Sequence, residues 1–172
     1  MERTRPRRTA SDLPGLDIAE QRSWQNYLDA ALRLWATLDR QLAEAHQLSL
    51  VDIQVLDVLI SSSTGSVRMR ELADALAPTT SQLTKQIRRL EARGLVQRES
   101  SPDCRRGVVA RITDDGRAVV KQATETYALG VRTHLFGPLS RSQVAIIEEN
   151  CRRIGVAVDV PPPPDRLVRS PL

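Results

Sequence analysis

Ser81, Gln82, Thr84, Lys85, Arg88 and Arg89 fall within nine residues, and none of them is acidic. All six can donate hydrogen bonds and three are cations. Interleaved with them, Leu83, Ile87 and Leu90 recur at spacings of four and three, the mark of a helix with one buried stripe. The polar residues then face outward, and Thr79 with Gln82 three positions later forms a plausible capping box at the start. A helix presenting such a face suits the base edges and phosphates of a DNA major groove. A second cationic feature follows at once. "LVQRES" and "GVVARIT" read as two strands around "SPDCRR", so Arg105 and Arg106 sit at the tip of a hairpin. A guanidinium carried there can reach phosphate or enter a narrow minor groove, where negative potential is concentrated.

Other chemistries find little support. His46 and His134 are the only histidines, and neither has a ligand-type residue four positions on, so no metal site is expected. No glycine-flanked nucleophile, phosphate-binding loop or dinucleotide fingerprint occurs, and neither catalytic residues nor a cofactor is expected. The two cysteines, Cys104 and Cys151, are too far apart in sequence to suggest a disulfide framework. Arg105 and Arg106 would favour the Cys104 thiolate, which leaves a cysteine-based redox-sensing regulator as an alternative. With no resolving partner evident, a neutral loop substitution is preferred, with Cys151 inside the last helix.

The charge distribution agrees with a polyanion partner. Ten Lys/Arg lie between Arg68 and Arg111 against five acids, and four Arg occupy the first eight residues, although the net charge of the whole chain is only +4. A chain of 172 residues is about one domain's worth. No apolar run approaches a membrane span and the N-terminus lacks the apolar segment of a signal peptide, so the expectation is a soluble cytoplasmic protein with no membrane partner.

Helices must position these features. Trp24, Leu28, Ala31, Trp35, Leu38, Leu42 and Ala45 form one stripe along a helix from Asp17 to Ala45, longer than a small core can cover. Ser49 and Asp52 open a second helix carrying Ile53, Leu56, Leu59 and Ile60, and "SSSTGS" reads as a loop. A short helix over about 70–77 and the recognition helix over 79–93 flank a turn at Pro78, and Gly94 ends the latter. Thr113 caps a helix running to about Leu135, which "FGPLS" breaks. Ser140 and Gln143 cap a last helix with Val144, Ile147, Cys151 and Ile154 inward, before a polyproline-like tail.

"MRELADALA" and "LTKQIRRLEARGLVQRESSPDCRRGVVARITDDG" resemble the MarR family of bacterial transcriptional regulators. The matching positions are Leu72 and Ala73, Leu90 and Glu91, Gly94 to Val96, the wing, Ile112 and Thr113, and Gly116. Cys104 stands where the family usually has Asp, and Ala77–Pro78 replace Gly and an aliphatic residue. The resemblance covers about 17–154 and implies a homodimer, palindromic double-stranded DNA and often a small aromatic ligand between dimer and DNA lobes. The fold expected is mainly α with a small β wing, a winged helix-turn-helix flanked by N- and C-terminal dimerisation helices. Its segments are a basic arm over 1–16, a dimerisation helix over 17–48, the DNA-binding domain over 49–113, dimerisation helices over 114–158 and a Pro-rich tail over 159–172. The DNA-binding set is Thr79, Ser81, Gln82, Thr84, Lys85, Arg88, Arg89, Arg105 and Arg106. Trp24, Leu28, Trp35, Leu38, Ile53 and Leu56 are candidates for a ligand pocket, with core or dimer contact as the competing role. The expected function is a dimeric regulator, repressor in character, against the alternative of a winged helix used for protein contacts. That alternative calls for acidic or apolar outward positions over 79–93.

Overall fold

The computed structural model describes residues 13–76, 80–100 and 108–158. Thr79, the turn at Ala77 and Pro78, Cys104, Arg105, Arg106, the basic arm before Leu13 and the Pro-rich tail lie outside the described residues. Helix α1 (Ile18–His46) opens on a reciprocal pair in which the Asp17 N–H reaches Glu20 and the Glu20 N–H reaches Asp17, both at 2.8 Å. The chain divides within α1 into two compact units, one ending at Thr37 and one beginning at Leu38. In the first unit Trp24, Tyr27, Leu28, Leu32 and Trp35 are exposed in the single chain, with the Trp24 and Tyr27 rings 6.1 Å apart.

The second unit holds the core. From α1 it takes Leu38 and Leu42, and Gln47 then ends the helix in the left-handed region at φ 55. Helix α2 (Leu50–Ser61) starts in the expected Ser49–Asp52 capping box and buries Ile53, Val55, Leu56 and Leu59. Helices α3 (Met69–Leu76) and α4 (Thr80–Ala92) add Leu72, Leu83, Ile87 and Leu90, all essentially inaccessible. The stripe at 83, 87 and 90 is therefore the buried one that its spacing predicts.

Three antiparallel strands complete the unit. β2 (Val96–Ser100) and β3 (Val108–Ile112) pair from Val96 opposite Ile112 to Ser100 opposite Val108, as expected of a hairpin. β1 (Ser66–Arg68) lies on the other side of β3, giving the order β1-β3-β2. It falls partly in the stretch expected to be loop. Gly65, at φ +67, turns the chain and its carbonyl accepts from the Ile112 N–H at 3.0 Å, so three residues pair without any alternation visible in sequence.

Helix α5 (Asp114–Val131) is capped by Thr113, whose hydroxyl accepts from the Gly116 N–H at 3.0 Å. It passes into a π-helical turn, Arg132–Phe136, closed by the Gly137 N–H on the Arg132 carbonyl at 2.7 Å. The helical course thus runs to Phe136, as expected, and Pro138, which has no N–H to donate, follows its end. Helix α6 (Arg141–Ala157) begins in the expected Ser140–Gln143 box. It has no buried residue, and Cys151 and Ile154, expected inward, are exposed in the single chain. Among the described residues, no helix is long and apolar enough to cross a membrane.

Candidate nucleic-acid interface

On α4 the helical repeat of about 100° per residue separates three stripes. Leu83, Ile87 and Leu90 face the core, while Ser81, Lys85 and Arg88 lie opposite and are exposed. Gln82 is also exposed and Thr84 is half-buried. Among the described residues, nothing pairs with Lys85 or Arg88. Between these stripes run Gln86, Arg89 and Arg93, and all three point into the protein's own backbone and side chains. Gln86 and Arg89 both donate to the fully buried carboxylate of Asp52, which also accepts the Ser49 N–H and hydroxyl at 2.7 Å each. The hydrogen bond to Asp52 raises the Arg89 pKa further above its ordinary value, so the guanidinium is charged at any working pH. Arg93 donates to the His46 carbonyl at 3.0 Å and to that of Gln47, satisfying acceptors that the end of α1 leaves open.

The basic count of the sequence is thus partly spent. Arg98 pairs with Glu91 at 2.7 Å, Arg111 with Glu99 at 3.0 Å, and Arg68 lies 3.8 Å from Glu71. Of the bases between Arg68 and Arg111, Arg70, Lys85 and Arg88 are the ones without a partner among the described residues. Arg70, on α3, entered the sequence reading only as part of a total. Its exposure becomes visible once α3 is placed.

The residues that carried the family resemblance have structural reasons. Glu91 accepts from the Arg98 backbone at 3.3 Å and its side chain at 2.7 Å, fixing the end of α4 to the root of the hairpin. Gly94 turns the chain at φ +72. Thr113 donates to the Gly94 carbonyl at 2.7 Å, and a Cβ on Gly116 would lie 2.3 Å from the Leu95 carbonyl oxygen. The β2–β3 pair, α4 and α5 are therefore locked at one point.

The six residues considered for a ligand pocket divide by exposure. Leu38, Ile53 and Leu56 are filled core, and Trp24, Leu28 and Trp35 are exposed on α1. A cleft of about 490 Å³ opens elsewhere, lined by Gln41, Glu44, Ala45, Thr126, Leu129, Gly130, Thr133 and His134. Gly130 is what lets the walls approach, since a Cβ there would lie 2.7 Å from Leu38 and 2.6 Å from Gln41. Gln41 and His134 meet across it at 3.1 Å. Sequence reasoning overlooked this cleft, because its lining mixes Ala45 and Leu129 with Gln41, Glu44, Thr126, Thr133 and His134 and follows no single apolar periodicity. No group of three or more metal-ligating side chains is assembled among the described residues.

Helices α3 and α4, with three residues of sequence between them, and a three-stranded antiparallel sheet of order β1-β3-β2 define a winged helix-turn-helix protein. The family model of the MarR family matches residues 46–107. Sco3205, a MarR family transcriptional regulator from Streptomyces coelicolor solved in complex with DNA, is 34% identical over 86% of this chain and 91% of its own, with a TM-score of 0.76. AbsC, a MarR family transcriptional regulator from the same organism, is 26% identical over 84% of this chain and 97% of its own, with a TM-score of 0.75. The multiple antibiotic resistance protein MarR of Salmonella typhimurium is 28% identical over 90 residues, 52% of this chain and 62% of that protein's length. This chain belongs to the MarR family.

Proposed function

We propose that the protein is a dimeric, sequence-specific DNA-binding transcriptional regulator, a repressor acting on palindromic operators in the cytoplasm and without enzymatic activity. The observation that carries this reading is the strip of Ser81, Lys85 and Arg88 on α4, opposite the core, free of acids and unpaired among the described residues. Such a strip can hydrogen-bond to base edges, and by sequence position Thr79, Gln82 and Thr84 complete the proposed DNA-binding set. Arg105 and Arg106 add a wing contact, Arg106 to the minor groove and Arg105 to phosphate. A winged helix that docks on a protein would instead present acids or apolar residues at these positions. The exposed apolar faces of α1 and α6, with Trp24, Trp35, Ile146 and Ile154, are the surfaces a second copy would cover.

The test is enrichment of duplexes from a random-sequence pool, with light scattering on the same protein. The expected outcome is an inverted repeat whose half-sites are about 10 base pairs apart, bound by a dimer. A monomer at micromolar concentration, or binding indifferent to sequence and to salt, would overturn it. Release by a small aromatic ligand is a second reading, favoured by the cleft at Gly130. It predicts that some member of a panel of phenolic acids both raises the melting temperature and dissociates the duplex.

A further inference from the structure

Arg89 faces outward in sequence pattern, yet the structure gives its guanidinium to a carboxylate that has no access to water. Two further residues on the same line of α4 behave alike. Gln86, three residues before, donates to Asp52, and Arg93, four residues after, donates to the carbonyls of His46 and Gln47. All of these acceptors belong to one elbow, the junction of α1 and α2. The elbow is itself braced, since the Asp39 carboxylate accepts the Leu50 N–H at 2.8 Å and Asp52 caps α2. The recognition helix is therefore held along one edge by three polar side chains, next to the core stripe and apart from Lys85 and Arg88.

We propose that Gln86, Arg89 and Arg93 are positioning residues that set the placement of α4 against the α1–α2 elbow, and that Arg89 does not contact DNA. This rests on the reading of α4 as the DNA-reading helix. The electrostatics favour it. Moving Arg89 to a phosphate would leave the buried Asp52 without its counter-charge, a larger loss than one solvent-exposed phosphate contact returns. Arg89 acts on binding through Asp52, by fixing the rotation and height at which Lys85 and Arg88 meet the duplex.

The experiment uses the full chain, a duplex enriched by the wild-type protein from a random pool, and a scrambled duplex of equal length, each titrated over a range of KCl. Arg89→Gln is expected to weaken the enriched duplex about tenfold, in line with coupling within a side-chain network. Binding to the scrambled duplex and the slope of log K against log salt should stay as in wild type. Asp52→Asn combined with Arg89→Gln should lose no more than Arg89→Gln alone, because both changes break one pair. A slope smaller in magnitude by about 0.9, with equal losses on both duplexes, is the signature of a lost phosphate contact and would overturn the proposal. Should Arg89→Gln not fold, as judged by circular dichroism, the double variant and Arg93→Gln carry the same comparison. Failure of wild type to enrich any sequence would overturn the DNA reading itself, and the proposal with it.

Discussion

The carboxylate of Asp52 is fully buried and meets the half-exposed guanidinium of Arg89 across 37 residues of sequence. One side of this pair is in contact with water, so breaking it costs less than the 3 to 5 kcal/mol of a wholly buried pair. Arg89→Ala is expected to lower stability by about 2 to 3 kcal/mol, because among the described residues Asp52 keeps Ser49 and Gln86 alone as donors. Urea denaturation reads this as a lower midpoint at unchanged slope. A change below about 0.5 kcal/mol, the scale of a surface substitution, would mean that the pair does not hold α4.

Periodicity made the inward faces legible. Leu83, Ile87 and Leu90 are buried as their spacing requires, and the caps at Ser49, Thr113 and Ser140 open the helices expected of them. What periodicity cannot report is which outward charge finds a partner far away in the chain. Arg88 and Arg89 are adjacent cations in sequence, yet one is unpaired among the described residues and the other is bonded to Asp52. Asp52 was legible as a helix cap, not as the anchor of another helix. β1 was missed because three residues are too few to show alternation, and Gly65 before them reads as turn. Periodicity also does not separate the ligand candidates by depth: Leu38, Ile53 and Leu56 are buried, while Trp24, Leu28 and Trp35 are exposed in the single chain.

Gly116 and Gly94 are required for different reasons, and substitution separates them. A Cβ on Gly116 would stand 2.3 Å from the Leu95 carbonyl oxygen and 2.8 Å from Ile112, so Gly116→Ala must displace backbone. Overpacking of this kind costs about 2 to 3 kcal/mol, which in a chain of this size is a fall in Tm of roughly 5 to 10 °C. Gly94 has open space but sits at φ +72. Gly94→Ala should cost about 1 kcal/mol, with Gly94→Asn closer to wild type, because Asn tolerates the left-handed region. Equal melting temperatures for Gly116→Ala and wild type would remove the proposed lock between hairpin and α5.

Tyr127 is half-buried on α5, and burial raises its pKa above the ordinary value near 10. The unfolded chain therefore loses this proton at lower pH than the folded one. Stability from this group is full below about pH 10 and declines as pH rises above the unfolded value. Tyr127→Phe removes that decline, so its stability deficit relative to wild type should shrink between pH 8 and pH 10.5. A deficit that stays constant across this interval, measured by urea midpoints, would show that the phenol is not desolvated.

Lys85, Arg88 and Arg70 are the cations between Arg68 and Arg111 without partners among the described residues, and they should divide by role. Lys85 and Arg88 lie one turn apart on the face of α4 opposite its core stripe, where a helix seated in a major groove meets base edges. Alanine at either position should weaken the enriched duplex by about 1 to 3 kcal/mol and relax the preference for one or two base pairs of the half-site. Arg70 is exposed on α3, the helix that crosses the backbone in this arrangement. Arg70→Ala should weaken enriched and scrambled duplexes alike and lower the magnitude of the salt slope by about 0.9, one phosphate's worth. Arg88 supplies the sharper contrast with its neighbour Arg89. Alanine at 88 should alter which sequences are enriched, whereas Gln at 89 should weaken the same sequence without changing it. If a repeat enrichment with Arg88→Ala returned the wild-type site unaltered, with the salt slope reduced instead, Arg88 would be a phosphate contact and sequence reading would fall to Lys85 and the residues beside it.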